Sequence, residues 1–184
     1  MKKNLLFLIL SFLSFNSFSQ SENENKITFD STTYIGTAII NVPGVSKDEL
    51  YKRVKIWISS AYKSGKTVTD LDDKSGDIYT IVLKARHDAH VVYIKGMNEY
   101  DEENSYTVIL KIKDGKLKME IKDWFNLGYQ GSYSNGAFTN VKPSYGHTKK
   151  TWNQVREEVA DFTKDLLNSF SNEMLKDRKS TRLN

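Results

Sequence analysis

Two stretches of the chain repeat apolar residues at helical spacing, and most of what lies between them alternates at strand spacing. Leu50, Val54, Trp57, Ile58 and Ala61 fall on one helix face, with Lys47, Lys52, Lys55, Ser59 and Lys63 on the other. Just before them, Ser46 and Glu49 have the spacing of a capping box, and Val45 and Leu50 stand where a hydrophobic staple would close over the first turn. This predicts a helix over 47–63, ended by Gly65. A second stripe runs through Val155, Val159, Phe162, Leu166, Phe170 and Met174, flanked by Trp152 and Leu167. Thr151 and Gln154 predict a second capping box at its start.

The strand signals begin with the β-rich run Thr33 to Val42, stopped by Pro43-Gly44. After the first helix come Thr67 to Leu71, a turn over Asp72 to Gly76, an alternating run from Asp77 to Lys84, and Val91 to Met97. Ser105 to Lys113 and Lys116 to Trp124 flank Asp114-Gly115. That dipeptide is a strong hairpin signal, because a two-residue type I′ turn needs positive φ at both central residues. Tyr106, Val108, Leu110 and Ile112 share one face of the first arm, and Leu117, Met119 and Ile121 share one face of the second. The order strand, helix, strands, helix predicts an α+β fold: a curved antiparallel sheet of about six strands with two helices packed on one face. The other face is then open to solvent or to a partner.

The two ends of the chain change this picture. Met1-Lys2-Lys3, the apolar run Leu5 to Phe15, and Ser17-Phe18-Ser19 before Gln20 have the anatomy of a cleaved secretory signal, residues 1–19. The expected location is periplasmic or extracellular, and the mature chain has no segment apolar enough to span a membrane. There is no Cys, hence no lipid attachment site and no disulfide. Residues 20–32 are read as a flexible leader and 33–176 as a single domain. The final string, 177–184, resembles the in-frame translation of a sequencing adapter; read that way, the true C-terminus lies beyond Lys176.

The whole chain carries 27 basic and 23 acidic residues, net +4. The signal and the tail hold five of those bases and one of those acids, so the remaining chain is balanced. A nucleic-acid partner, which usually demands a basic footprint, is not expected.

Several strings in this order resemble a family of exported Bacteroidota proteins, the domain of unknown function numbered 4468, with a TBP-like fold. They are Val42-Pro43-Gly44-Val45-Ser46-Lys47-Asp48-Glu49-Leu50-Tyr51 leading to Trp57, the turn Asp72 to Gly76 before Ile78, and the hairpin Thr107 to Lys122. The chain departs from the family pattern at Ile78-Tyr79-Thr80-Ile81. The resemblance implies a fold and an exported setting, and no activity.

Candidate chemistry is sparse. His87-Asp88-Ala89-His90 has a metal-ligand spacing if it forms a turn, but His147 is the only other His. His87 and His90 are therefore weak candidates, and neither a metal nor a cofactor is expected. The carboxylate pairs Asp72-Asp73, Glu102-Glu103 and Glu157-Glu158 read as solvated surface. Asn98 to Asn104 reads as an acidic loop, with alternate carboxylates at Glu99, Asp101 and Glu103 but Asn104 where a calcium loop needs glycine. The stretch Gly128 to His147 interleaves Tyr129, Tyr133, Phe138 and Tyr145 with Gly, Asn and Ser. Flat rings beside adaptable polar groups suit a sugar or protein surface, and these four are the candidate binding residues. No catalytic residues are assigned.

Three functions stay open. The favoured one is a non-enzymatic binding or assembly module of the bacterial envelope, with an envelope protein or glycan as partner. The alternatives are an envelope hydrolase using His147 or the His87/His90 pair, and a structural domain of a longer protein.

Overall fold

The computed structural model describes residues 24–62, 67–92, 99–128, 136–138 and 148–176. Nine elements follow in order: β1 (Lys26–Asp30), β2 (Ile35–Asn41), α1 (Lys47–Ala61), β3 (Thr67–Asp73), β4 (Tyr79–Val92), β5 (Glu99–Lys113), β6 (Lys116–Gly128), β7 (Gly136–Ala137) and α2 (Lys149–Leu175). The sheet is antiparallel, with strand order β1-β2-β6-β5-β4-β3 and the two-residue β7 paired to β6.

Alternation decides which side of the sheet is covered. Ala38 and Ile40 of β2, Ile81 and Leu83 of β4, Val108, Leu110 and Ile112 of β5, and Met119 and Ile121 of β6 are all fully buried. Their register partners place them on one face. Both helices lie there: Trp57 of α1 meets Phe170 of α2 edge to face, with ring centroids 5.1 Å apart. Gly36 of β2 lies directly beneath α2, where a Cβ would come within 2.6 Å of Thr163 Cγ2 and 2.9 Å of Leu167 Cδ1. Arg53, buried on α1, donates to the carbonyls of Met174 and Lys176, which have no intrahelical partner at the end of α2.

The first helix forms as predicted, with Ser46 Oγ accepting from the Glu49 N–H, and it ends at Ala61. The Asp114-Gly115 hairpin also forms, but its turn is not of type I′: Gly115 stands at φ 69° while Asp114 is not at positive φ. The turn is tied down from outside, because Lys47 N–H donates to the Asp114 carboxylate at 2.7 Å.

Four further expectations are corrected. Residues 26–30, assigned to a flexible leader, form β1 and pair with β2. The Asp30 carboxylate accepts from Thr32 N–H and Thr33 Oγ1, which closes the turn into β2. The His87 to His90 segment is not a turn: β4 continues through it, with Ala85 and Ala89 inward and Arg86, Asp88 and His90 outward. The acidic segment 99–104 is likewise strand, part of β5, with Glu102 and Asn104 buried. Its polar composition hid a period of two. Finally, α2 begins earlier than expected, capped by Thr148, whose Oγ1 accepts from Thr151 N–H. Thr151 is a buried first-turn residue whose hydroxyl lies 2.8 Å from that of Thr148.

Candidate functional site

With the helices on one side, the opposite face of the sheet has no element over it among the described residues. The residues that point there are fixed by the same register that fills the core. On the strand segments 79–84, 107–113 and 116–122, the outward side chains include six lysines (Lys84, Lys111, Lys113, Lys116, Lys118 and Lys122) and one carboxylate, Glu120. Lys111 stands opposite Lys118, and Lys113 opposite Lys116. Like charges directly opposite across a ladder are destabilising, so these pairs work against the stability of the hairpin.

Glu120 offsets part of the charge. Lys118 donates to it at 2.8 Å and Lys122 lies 3.5 Å away. The Lys118 hydrogen bond, reinforced by the charges of Lys118 and Lys122, holds the Glu120 carboxyl below its ordinary range. Lys84 donates to Thr107 Oγ1 at 2.9 Å. Among the described residues, no carboxylate lies within ion-pair distance of Lys84, Lys111, Lys113 or Lys116.

An apolar strip runs part of the way across the same face and ends at Glu120, which stands opposite Ile109. Leu71 of β3, Val82 of β4 and Ile109 of β5 occupy one register row. On one side of it lies the row of Lys111 and Lys118, and on the other the row of Lys84 and Lys122. Beside this, β6 bulges: the pairing steps from Thr107↔Lys122 to Ser105↔Phe125, with Asp123 in the left-handed region at φ 56°. The bulge opens a shallow depression of about 340 Å³, lined by Lys84, Arg86, Ser105, Thr107 and Asp123. It also turns Trp124 into the core and leaves Phe125 exposed.

The residues singled out from sequence fall elsewhere. His87 points to the helix side, stacked on Phe162 with ring centroids 3.8 Å apart and its Nε2 3.8 Å from Glu158. His90, three residues on along the same strand, points to the opposite face, so the two imidazoles do not converge. No group of three or more His, Asp or Glu side chains able to hold a metal ion occurs among the described residues. Phe138 is 1% exposed, with its ring packed among those of Tyr34, Trp124 and Trp152. It is a core residue, and the expectation of a surface ring there is corrected. Tyr129, Tyr133, Tyr145 and His147 lie outside the described residues.

Of the carboxylate pairs, Asp72 faces α1, accepting from Tyr51 Oη at 2.8 Å and from Lys55 at 3.1 Å. Glu102 accepts from Asn126 Nδ2 at 2.9 Å inside a buried polar cluster with Asn104. Neither pair converges as an acid–base couple would. The lysine rows went unnoticed in the sequence, yet they are its alternate positions: the arms of the Asp114-Gly115 hairpin are apolar at every second residue and mostly basic or hydroxylated between.

The family model for a domain of unknown function with a TBP-like fold (DUF4468) matches residues 37–127. Two solved structures share the fold. One is a DUF4468 family protein from Bacteroides ovatus, 13% identical, with a TM-score of 0.61 over 83% of this chain and 92% of that one. The other is a TBP-like protein from Parabacteroides distasonis, 11% identical, with a TM-score of 0.51 over 79% of this chain and 97% of that one. No curated protein sequence matches the chain. No helix among the described residues is long and apolar enough to cross a membrane.

Proposed function

We propose that the chain is an exported, non-enzymatic binding or assembly module of the bacterial envelope, and that the open face of its sheet is the contact surface. The observation that carries this is the set of six lysines around an apolar strip on a face that neither helix covers. Cross-strand lysine pairs cost folding stability, and a partner of opposite charge offsets that cost on binding. Export rests on the signal anatomy of residues 1–19. The partner is an envelope protein or glycan, with no role for a cofactor.

The test is retention on an envelope fraction. Ile109→Asp, at the centre of the open face, should release the chain from the fraction. Ile56→Asp, at a residue of α1 that is 48% exposed, should leave it bound. Equal retention of the two variants, with both folded, would refute the assignment of the face.

A further inference from the structure

Resting on that reading of the open face, we infer that its occupant is an acidic polypeptide surface that carries carboxylate and apolar side chains on one and the same face, rather than an acidic glycan or a nucleic acid. The lysines alone fit any polyanion. The apolar strip is what discriminates. Leu71, Val82 and Ile109 lie in one row, with lysine rows on either side. A protein interface has that anatomy, an apolar centre inside a charged rim. A phosphate backbone or a uronate chain would satisfy the rim and leave Val82 and Ile109 against polar surface.

Spacing agrees with a polypeptide. Lys111 and Lys113 are two residues apart on β5, as are Lys116 and Lys118 on β6. At a strand rise of about 3.4 Å per residue, each pair is about 7 Å apart along the chain. Alternate side chains of an extended partner segment have the same repeat, so one edge of such a segment can present a carboxylate to each lysine in turn. Lysine suits this contact: its ammonium is a mobile, hydrated point charge that follows carboxylates in several geometries. The six-to-one excess of lysine over carboxylate holds on the segments 79–84, 107–113 and 116–122, in a chain that is balanced once the signal and tail are set aside; Asp88 and Glu103 share the face farther along β4 and β5. The basic charge is concentrated on the part of the face around the Asp114-Gly115 hairpin.

The probe is a fluorescent peptide repeating Glu-Ser-Glu-Ser-Leu-Ser, which puts Glu and Leu on one face when extended, titrated with the full chain and read by anisotropy. Polygalacturonate and duplex DNA are tested in parallel. The expected result is binding that weakens about tenfold in Lys111→Glu/Lys118→Glu, through lost charge complementarity. Ile109→Ser should weaken it too, and Lys52→Glu on α1 should not. Thermal melts of each variant establish that it is folded.

If polygalacturonate or DNA binds the face more tightly than the peptide, and Ile109→Ser has no effect on that binding, the inference is overturned while the face remains a binding surface. If no probe's binding responds to Lys111→Glu/Lys118→Glu, the inference fails. If Ile109→Asp then also stays on the envelope fraction, the face assignment fails with it.

Discussion

Gly36 gives the sharpest test of which side of the sheet is closed. Its missing side chain is the reason α2 can lie directly on β2: an added Cβ would stand 2.6 Å from Thr163 Cγ2 and 2.9 Å from Leu167 Cδ1. Both neighbours are fully or nearly fully enclosed. Thr163 is held by the bond from its Oγ1 to the Val159 carbonyl at 2.7 Å, and Leu167 is 0% exposed. Rotating Thr163 to make room would break that bond. Overpacking of this kind costs about 1–3 kcal/mol. Replacing a strand glycine by alanine returns about 0.5–1 kcal/mol through the unfolded chain. The difference spans about 0–2.5 kcal/mol, and Gly36→Ala is predicted to destabilise by about 1 kcal/mol, the middle of that range. For a chain of this size that is a fall of roughly 2–4 °C in Tm.

The control is a double-mutant cycle with Thr163→Ser, which removes Cγ2 and keeps the hydroxyl. Gly36→Ala should cost much less in that background, giving a coupling of about 1 kcal/mol. Thermal and urea melts measure both quantities. A Gly36→Ala variant more stable than wild type, as expected if β2 presented this position to solvent, would refute the packing. Additive costs in the cycle would refute the named contact.

Lys111→Glu should raise Tm by about 1–4 °C, because it replaces a like-charge cross-strand pair with an attractive one worth up to about 1 kcal/mol; an unchanged or lowered Tm would remove the argument that the lysines are held against the interest of the fold. Phe138→Ala should cost about 3–5 kcal/mol in a denaturant melt, as a buried aromatic truncation, and a variant of native stability would return this ring to the surface. Alkaline titration should unfold the protein between about pH 10 and pH 12. Burial pushes the Tyr106 phenol up to about 12. Burial followed by the bond to Asp72 does the same for Tyr51, and burial holds Tyr62 well above its ordinary value. With folded values above the unfolded value of 10.0, the stability these groups contribute is complete below pH 10 and is lost as pH rises through the folded values. Tyrosinate absorbance and circular dichroism should therefore change together, and tyrosinate signal from all tyrosines near pH 10 with the fold intact would contradict the burial.

How much of this was legible in the sequence depends on whether a period was visible. The first helix and the Asp114-Gly115 hairpin combine an unbroken apolar repeat with local chemistry, a cap in one and a turn dipeptide in the other. Both form where expected. The segments 87–90 and 99–104 hold the same strand period with polar or charged residues on both faces, because Glu102, Asn104 and Asn126 bury a hydrogen-bonded cluster where apolar residues would normally stand. Polarity there reads as loop until a partner strand is known. β1 was missed for a similar reason: its exposed edge position needs few apolar residues. Of the candidate site residues, Phe138 is described and Tyr129, Tyr133 and Tyr145 lie outside the described residues. Rings and histidines attract attention as chemistry, yet Phe138 and His87 serve the core, and the face proposed for binding is the ordinary polar half of each strand. Six lysines scattered through the sequence become a patch only when strand register sets them side by side.

The most direct measurement of the central claim is site-specific photo-crosslinking in cells that express the chain. A photoreactive residue is placed at position 109 on the open face, and in a second variant at position 157 on the exposed side of α2. The account predicts discrete adducts from 109, abolished by Lys111→Glu/Lys118→Glu, and none from 157. Adducts from 157 alone, or adducts from 109 that persist unchanged in the lysine variant, would contradict it.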